Sequence, residues 1–170
     1  MGKRSDFPRR ARDDYPTPAS AIDPLTPFLN RRLRYLDPCS DEPHALADAL
    51  TDKGFACAIS GILCPPRVDA RNGAYMNVDA FITNPPWAKR PLEAILINLS
   101  DQAPTWLLMP ADWIHTKQSI PFLPRLRKII SVGRVKWIEA SPHTSLDNVI
   151  WLLFARPSQV KTQIVFYGRT

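Results

Sequence analysis

Near the middle of the sequence an apolar run, Phe81-Ile82-Thr83, leads directly into Asn84-Pro85-Pro86-Trp87-Ala88-Lys89-Arg90. Two consecutive prolines hold two φ angles near about −65°. Pro85 also drives Asn84 out of the helical region toward extended backbone. Asn84 is therefore a carboxamide held at a defined angle where a strand ends. Neither proline has an N–H, so their carbonyls remain as acceptors, and Trp87 adds a flat apolar face. The stretch offers two acceptors, the Asn84 side-chain oxygen and the Pro85 carbonyl, beside a stacking platform. A planar group carrying an NH2 fits that set. The exocyclic amine of a nucleobase is a poor nucleophile, because its lone pair is shared with the ring. Two acceptors that bind both of its hydrogens help the nitrogen become tetrahedral, and they serve the transition state more than the ground state. An aromatic ring alongside would hold a base taken out of its stack.

These residues need a strand to carry them and a sheet to hold the strand. "VDAFIT" supplies the strand, and the surrounding pattern supplies the sheet. "RLRYLDPC" reads as a short strand ending at Asp37-Pro38, and "FACAISGIL" as a strand apolar on both faces. "TWLLMP", "RVKWIEA", "VIWLLFA" and "TQIVFYG" complete the strands. Helical spacing marks "PHALADALTDKG", stopped by Gly54, and "RPLEAILINLSDQ", with Leu92, Ile95, Leu96 and Leu99 on one face. "SIPFLPRLRKIIS" reads as a proline-interrupted helix, and Thr17-Pro18 as the cap and opening of another. Strands alternating with helices predict an α/β domain, a mostly parallel sheet covered on both sides in three layers. No helix separates the last two strands, which predicts an antiparallel edge. Ligands bind such sheets outside the carboxyl ends of the strands, where "LDPCS" and "TNPPW" both lie.

Composition narrows the partners. The chain has 170 residues, 45% apolar and 22% charged, a balance that suits one soluble globular domain. Residues 1–14 are polar and basic and read as a flexible arm, with the single domain spanning 15–170. A net charge of +6 favours a polyanion, nucleic acid first. No apolar run is long enough to cross a membrane, and no secretion signal follows the basic start. Cys39, Cys57 and Cys64, an odd set, read as reduced thiols of a cytoplasmic protein. His44, His115 and His143 lie far apart, without metal-ligand spacing. There is no phosphate-binding Gly-rich loop with Lys-Ser/Thr and no nucleophile elbow. Arg125-Leu126-Arg127-Lys128 reads as a solvated face before a phosphate site.

"NPPW", with its "VDAFIT" lead-in, resembles the Asn/Asp-Pro-Pro-aromatic motif of the amino-directed DNA methyltransferases, which act on adenine N6 or cytosine N4. Further segments follow in the family's order. "DDYPTPASAIDPLTPFL" is similar to its Thr-Pro segment, "LDPCSDEPHALADAL" to its first cofactor loop, and "IEASPHTSLDNVIWLLF" to a late segment of adenine-N6 methylases. The resemblance covers about residues 15 to 156. It implies a Rossmann-like class I methyltransferase fold, S-adenosylmethionine as cofactor and DNA as partner, with adenine N6 favoured. Asn84, Pro85, Pro86 and Trp87 would form the catalytic loop. Tyr15, Thr17, Pro18, Asp37, Pro38 and Cys39 would lie on the cofactor side, and Asn148 with Trp151 would match a segment that lines the base pocket.

The cofactor side departs from the family. Asp41 and Pro43 stand where the family carries glycines, and proline forbids the positive φ that glycine allows. The second strand ends in Ser60-Gly61, where the family has an acid for the cofactor ribose; Asp69 and Asp79 are the nearest substitutes. Two readings stand: an amino-directed DNA methyltransferase with a remodelled cofactor loop, or a non-catalytic nucleic-acid-binding protein on a degenerate methyltransferase fold. Without an evident recognition domain, the basic arm and Lys89-Arg90 are the candidates for DNA contact.

Overall fold

The protein is represented by a computed structural model that describes residues 16–40, 43–137, 147–157 and 163–168. The arm over 1–14, Tyr15, Asp41, Glu42 and His143 lie outside the described residues.

Pro18 sets the entry to a single helical turn, α1 (Ala19–Ile22). Pro24 and Pro27 remove helical N–H donors, so the chain tightens into a 3-10 segment over Asp23–Phe28 instead of extending the helix. The elements that follow are β1 (Arg34–Asp37), α2 (Ala45–Asp52), β2 (Ala56–Ile59), β3 (Ala80–Thr83), α3 (Lys89–Gln102) and β4 (Thr105–Pro110). Two 3-10 turns, Ala111–His115 and Ile120–Arg125, lead to β5 (Leu126–Arg134), β6 (Asn148–Phe154) and β7 (Val165–Tyr167). Gly54 ends α2 with φ +81°, a backbone that side chains rarely adopt, while the Phe55 amide returns to the Leu50 carbonyl.

The seven strands form one sheet in the order β2-β1-β3-β4-β6-β5-β7. All neighbours are parallel except β6, which runs antiparallel to both β4 and β5. Alternation along the strands divides the core into two layers. Tyr35, Ile82, Trp106, Leu108, Ile130 and Trp151 face α1 and α2. Leu107, Met109, Ile150, Leu152 and Phe154 face the other way, onto Leu92 and Leu96 of α3. Phe81 packs on Ile95 and Leu99 of the same helix. Trp151 is fully buried, and its indole N–H donates to the Ala21 carbonyl at 2.7 Å, stitching the α1 segment across the sheet.

Three expectations change. The antiparallel strand is interior rather than an edge. The reversal falls between β5 and β6, and β7 passes to the far side of β5 and pairs with it in parallel. Residues 126–131, expected as the end of a broken helix, begin β5. Pro121 and Pro124 hold the preceding turns short, and the β-branched run that follows is paired on both sides, by β6 and β7. The strand expected over 134–140 therefore starts and ends earlier, and residues 138–140 lie outside the described residues. Finally, β2 is an edge strand with alternating exposure rather than a strand buried on both faces. The chain from 60 to 79 returns to β3 as loop, so among the described residues nothing pairs with the outer edge of β2.

Candidate active site at the carboxyl ends of β1, β3 and β4

The register Tyr35↔Ala80 and Leu36↔Phe81 sets the tips of β1 and β3 side by side. There the Thr83 hydroxyl donates to Asp37 Oδ1 at 2.6 Å, with both residues buried. The same carboxylate oxygen accepts from the Cys39 amide at 3.2 Å. On the opposite side of β3, the Trp87 indole N–H donates to the Leu108 carbonyl of β4 at 3.0 Å. The loop that leaves β3 is thus tied to both neighbouring strands, one tie before Asn84 and one after Pro86.

Between these ties stand the two acceptors. Asn84 is half-buried, and among the described residues neither its carboxamide nor the Pro85 carbonyl has a hydrogen-bond partner. Asn84 is also not a helix cap, since α3 begins five residues later with Ala88 at its N-cap. Pro85 is buried and Pro86 half-buried. Trp87 packs into both core layers and meets the Trp137 ring edge-on, at 5.7 Å between centroids and 77° between planes. One edge of its indole is therefore committed to the protein.

On the cofactor side, Pro38 is buried and Cys39 half-buried at the tip of β1. Thr17 is buried just before α1, and Pro18 is half-buried beside it. Among the described residues no hydrogen bond joins Thr17 or Pro18 to the tips of β1 or β3. The loops after β1 and β2 are zipped together. The Ser60 amide donates to the Asp37 carbonyl at 2.9 Å, and the Ser40 amide to the Ser60 carbonyl at 3.0 Å. Ser60 Oγ donates to the Pro66 carbonyl at 2.9 Å, and Ser40 Oγ bonds His44 Nδ1 at 3.1 Å. A Cβ on Gly61 would stand 2.2 Å from the Ser40 carbonyl oxygen, so only glycine permits this approach. Where the sequence lacks a ribose acid, the backbone itself closes the gap between the two strands.

Neither substitute acid takes that place. Asp79 lies at the opposite, amino end of β1 and β3, in a two-pronged ion pair with Arg34 at 2.9 and 3.0 Å; the guanidinium hydrogen bonds pull its carboxyl down to about 2. Asp69 is held by Arg71, which lowers its carboxyl in the same way. Two groups near the β1 tip shift upward. Burial, then the Asp37 charge, pushes the Cys57 thiol up to about 12. Burial, then the neighbouring Cys39, pushes the Tyr75 phenol up to about 12, against a smaller opposing effect from the Ser60 side chain. The pattern around Tyr75 carried no signal in the sequence, because the loop over 60–79 that delivers it has no periodicity.

Of the other residues singled out, Trp151 is a core residue and Asn148 is exposed at the start of β6. Arg125 pairs with Asp101 at 2.6 Å, and Arg127 donates to the carbonyls of Pro124, Leu126 and Arg156. Both arginines are therefore engaged with the protein. Lys89 and Arg90 are exposed in the first turn of α3, with no ion pair among the described residues. No group of three potential metal ligands occurs among the described residues, and none of their helices is long and apolar enough to cross a membrane.

No protein-family model matches this sequence, and no curated protein matches it at a significant level. Solved structures do match. A predicted O-methyltransferase from Agrobacterium tumefaciens superposes with a TM-score of 0.54 at 10% identity, over 89% of this chain and 86% of that one. A protein assigned to the class I S-adenosylmethionine-dependent methyltransferases, from Listeria monocytogenes, gives 0.46 at 9% identity, over 88% of this chain and 62% of that one. The Type I restriction enzyme EcoKI M protein gives 0.46 at 14% identity, over 89% of this chain and 47% of its own. The first match establishes the fold, a three-layer Rossmann-like methyltransferase fold. The other two add nothing to that.

Proposed function

We propose that the protein transfers a methyl group from S-adenosylmethionine to the exocyclic amine of a DNA base, adenine N6 before cytosine N4. One observation carries this reading: two acceptors, Asn84 Oδ1 and the Pro85 carbonyl, stand at a strand tip with no donor on either among the described residues. A buried strand end is ordinarily satisfied by its own neighbours, so an unengaged pair held between two ties suits an external NH2 group. In this reading Asn84 and the Pro85 carbonyl accept the amine hydrogens, Pro86 fixes the turn, and Trp87 stacks on the base. Tyr15, Thr17, Pro18, Asp37, Pro38 and Cys39 form the cofactor side within a single domain over 15–170. S-adenosylmethionine brings an electrophilic methyl carbon, and the protein contributes position and preorganised dipoles. The net charge of +6 and the exposed Lys89 and Arg90 support DNA as the partner. The shared fold with a protein named as a methyltransferase supports methyl transfer.

A second reading is favoured by one specific feature, the zipped loops after β1 and β2. Their polar groups bond each other, and Gly61 lies against Ser40. In that reading the protein binds nucleic acid without cofactor. Calorimetric titration of the purified protein with S-adenosylmethionine separates the two. Micromolar binding, followed by methyl transfer to adenine-containing DNA, is the expected result. A folded protein that binds DNA in a salt-dependent way but takes up no cofactor at millimolar concentration would establish the second reading.

A further inference from the structure

Asp37 and Thr83 come from strands that the sequence separates by 46 residues, and their side chains meet at 2.6 Å in the interior. Asp37 is 4% exposed and Thr83 is fully buried. A carboxylate in that position needs good hydrogen bonds, and a hydroxyl donating to a charged acceptor is among the stronger ones. The bond joins two loops of different duty. Asp37 also receives the Cys39 amide, so its carboxylate orients the loop that leaves β1. Thr83 immediately precedes Asn84, and Pro85 removes backbone freedom beyond it. The angle at which the Asn84 carboxamide leaves β3 is therefore referenced to the tip of β1 by this side-chain bond, beyond the backbone pairing of the two strands.

We infer that Thr83 is a positioning residue: its hydroxyl, held by the Asp37 carboxylate, registers the amine-accepting loop against the cofactor-side loop, so that the state of one tip is felt at the other. This rests on the methyl-transfer reading, in which a donor methyl and an acceptor amine must meet in line. A displacement of about 1 Å in such an arrangement costs on the order of a hundredfold in rate. Thr83 touches neither reactant. Its loss should therefore appear in the chemical step and not in binding.

The test uses the full chain, with Thr83→Val removing the hydroxyl at nearly constant shape and Thr83→Ser restoring it. In methyl transfer to adenine-containing DNA, Thr83→Val is expected to lower kcat by about ten- to a hundredfold. KM for DNA and the dissociation constant for S-adenosylmethionine should stay within about threefold, and Thr83→Ser should recover most of the rate. Equal losses in kcat and in both affinities, or no rescue by serine, would show a structural role only and overturn the inference. A second readout does not depend on activity. Amide exchange in the free protein should quicken at both Cys39 and Asn84 in Thr83→Val, and at neither in Thr83→Ser. Should Thr83→Val fail to fold, Asp37→Asn keeps an acceptor oxygen while weakening the bond, and should quicken both amides to a lesser degree. Exchange unchanged at Asn84 in these variants sinks the coupling whatever the catalytic result. A wild-type protein that neither binds the cofactor nor methylates DNA defeats the methyl-transfer reading, while the exchange experiment still decides whether the tips are coupled.

Discussion

The tip of β3 and the joined tips of β1 and β2 are neighbours in one sheet, and they treat their polar groups in opposite ways. At β3 the Asn84 carboxamide and the Pro85 carbonyl accept nothing from the described residues, and rigidity comes from two prolines and two flanking ties. At β1 and β2 the amides and carbonyls of Asp37, Ser40 and Ser60 are spent on each other, and Gly61 closes the remaining space. The first arrangement stores unused hydrogen-bonding capacity for a ligand; the second exchanges it for strand-to-strand closure. Buried polar groups must find partners somewhere. The contrast sets an open pair of acceptors at β3 against a more closed and more local arrangement at β1 and β2, and under the proposed reading the first would take the amine.

The largest expected effect breaks the comparison at its open end. Asn84→Ala should reduce methyl transfer by at least about a hundredfold, the scale seen when a preorganised polar group at a reacting centre is removed. Its thermal unfolding should barely move, because the carboxamide bonds nothing among the described residues. Full transfer in this variant would place the chemistry elsewhere. At the closed end, Gly61→Ala brings a methyl group into the Ser40 carbonyl and should cost about 1–3 kcal/mol in denaturant unfolding. An unchanged midpoint would mean that the zipped loops carry no constraint.

A smaller effect reports on how closed that end is. With its thiol pushed up to about 12 by burial and the Asp37 charge, Cys57 is held almost wholly in the unreactive thiol form at pH 8. Alkylation of Cys57 should therefore be far slower in the folded protein than in denaturant, and equal rates in the two would contradict a closed β1–β2 tip. The smallest effect lies at the far end of the same strands. Asp79 is depressed to about 2 by Arg34, so the pair stabilises the fold above the ordinary carboxylate range near about 4 and loses its contribution as pH falls to about 2. Asp79→Asn should lower the melting temperature by about a degree or two at pH 7, since exposed pairs contribute little. The difference from the unmodified protein should disappear by about pH 2; a gap that persists there would have another origin.

Much of the open end was legible in the residues themselves. Asn-Pro-Pro-Trp after an apolar strand specifies its own backbone, because proline restricts itself and the residue before it. "TWLLMP" is apolar on both faces and matches β4 end to end, and Leu92, Ile95, Leu96 and Leu99 mark the buried side of α3. The sequence also showed that glycines and an acid were missing beside β1 and β2, but not what replaces them. What lies there is a set of backbone bonds between segments distant in the chain, and any residue but proline can supply a backbone N–H. The run after Pro124 shows the same limit. Its spacing suits a helix or a strand, and pairing with β6 and β7 decided for β5.

The interior place of β6, the exposed edge of β2 and the bond from Thr83 to Asp37 are likewise tertiary outcomes. What the sequence determined by itself was short-range: where strands end, where prolines stiffen them, and which side chains stand there. What only the tertiary structure decided was which ends meet, because hydrogen bonds between strands join residues that no local pattern connects.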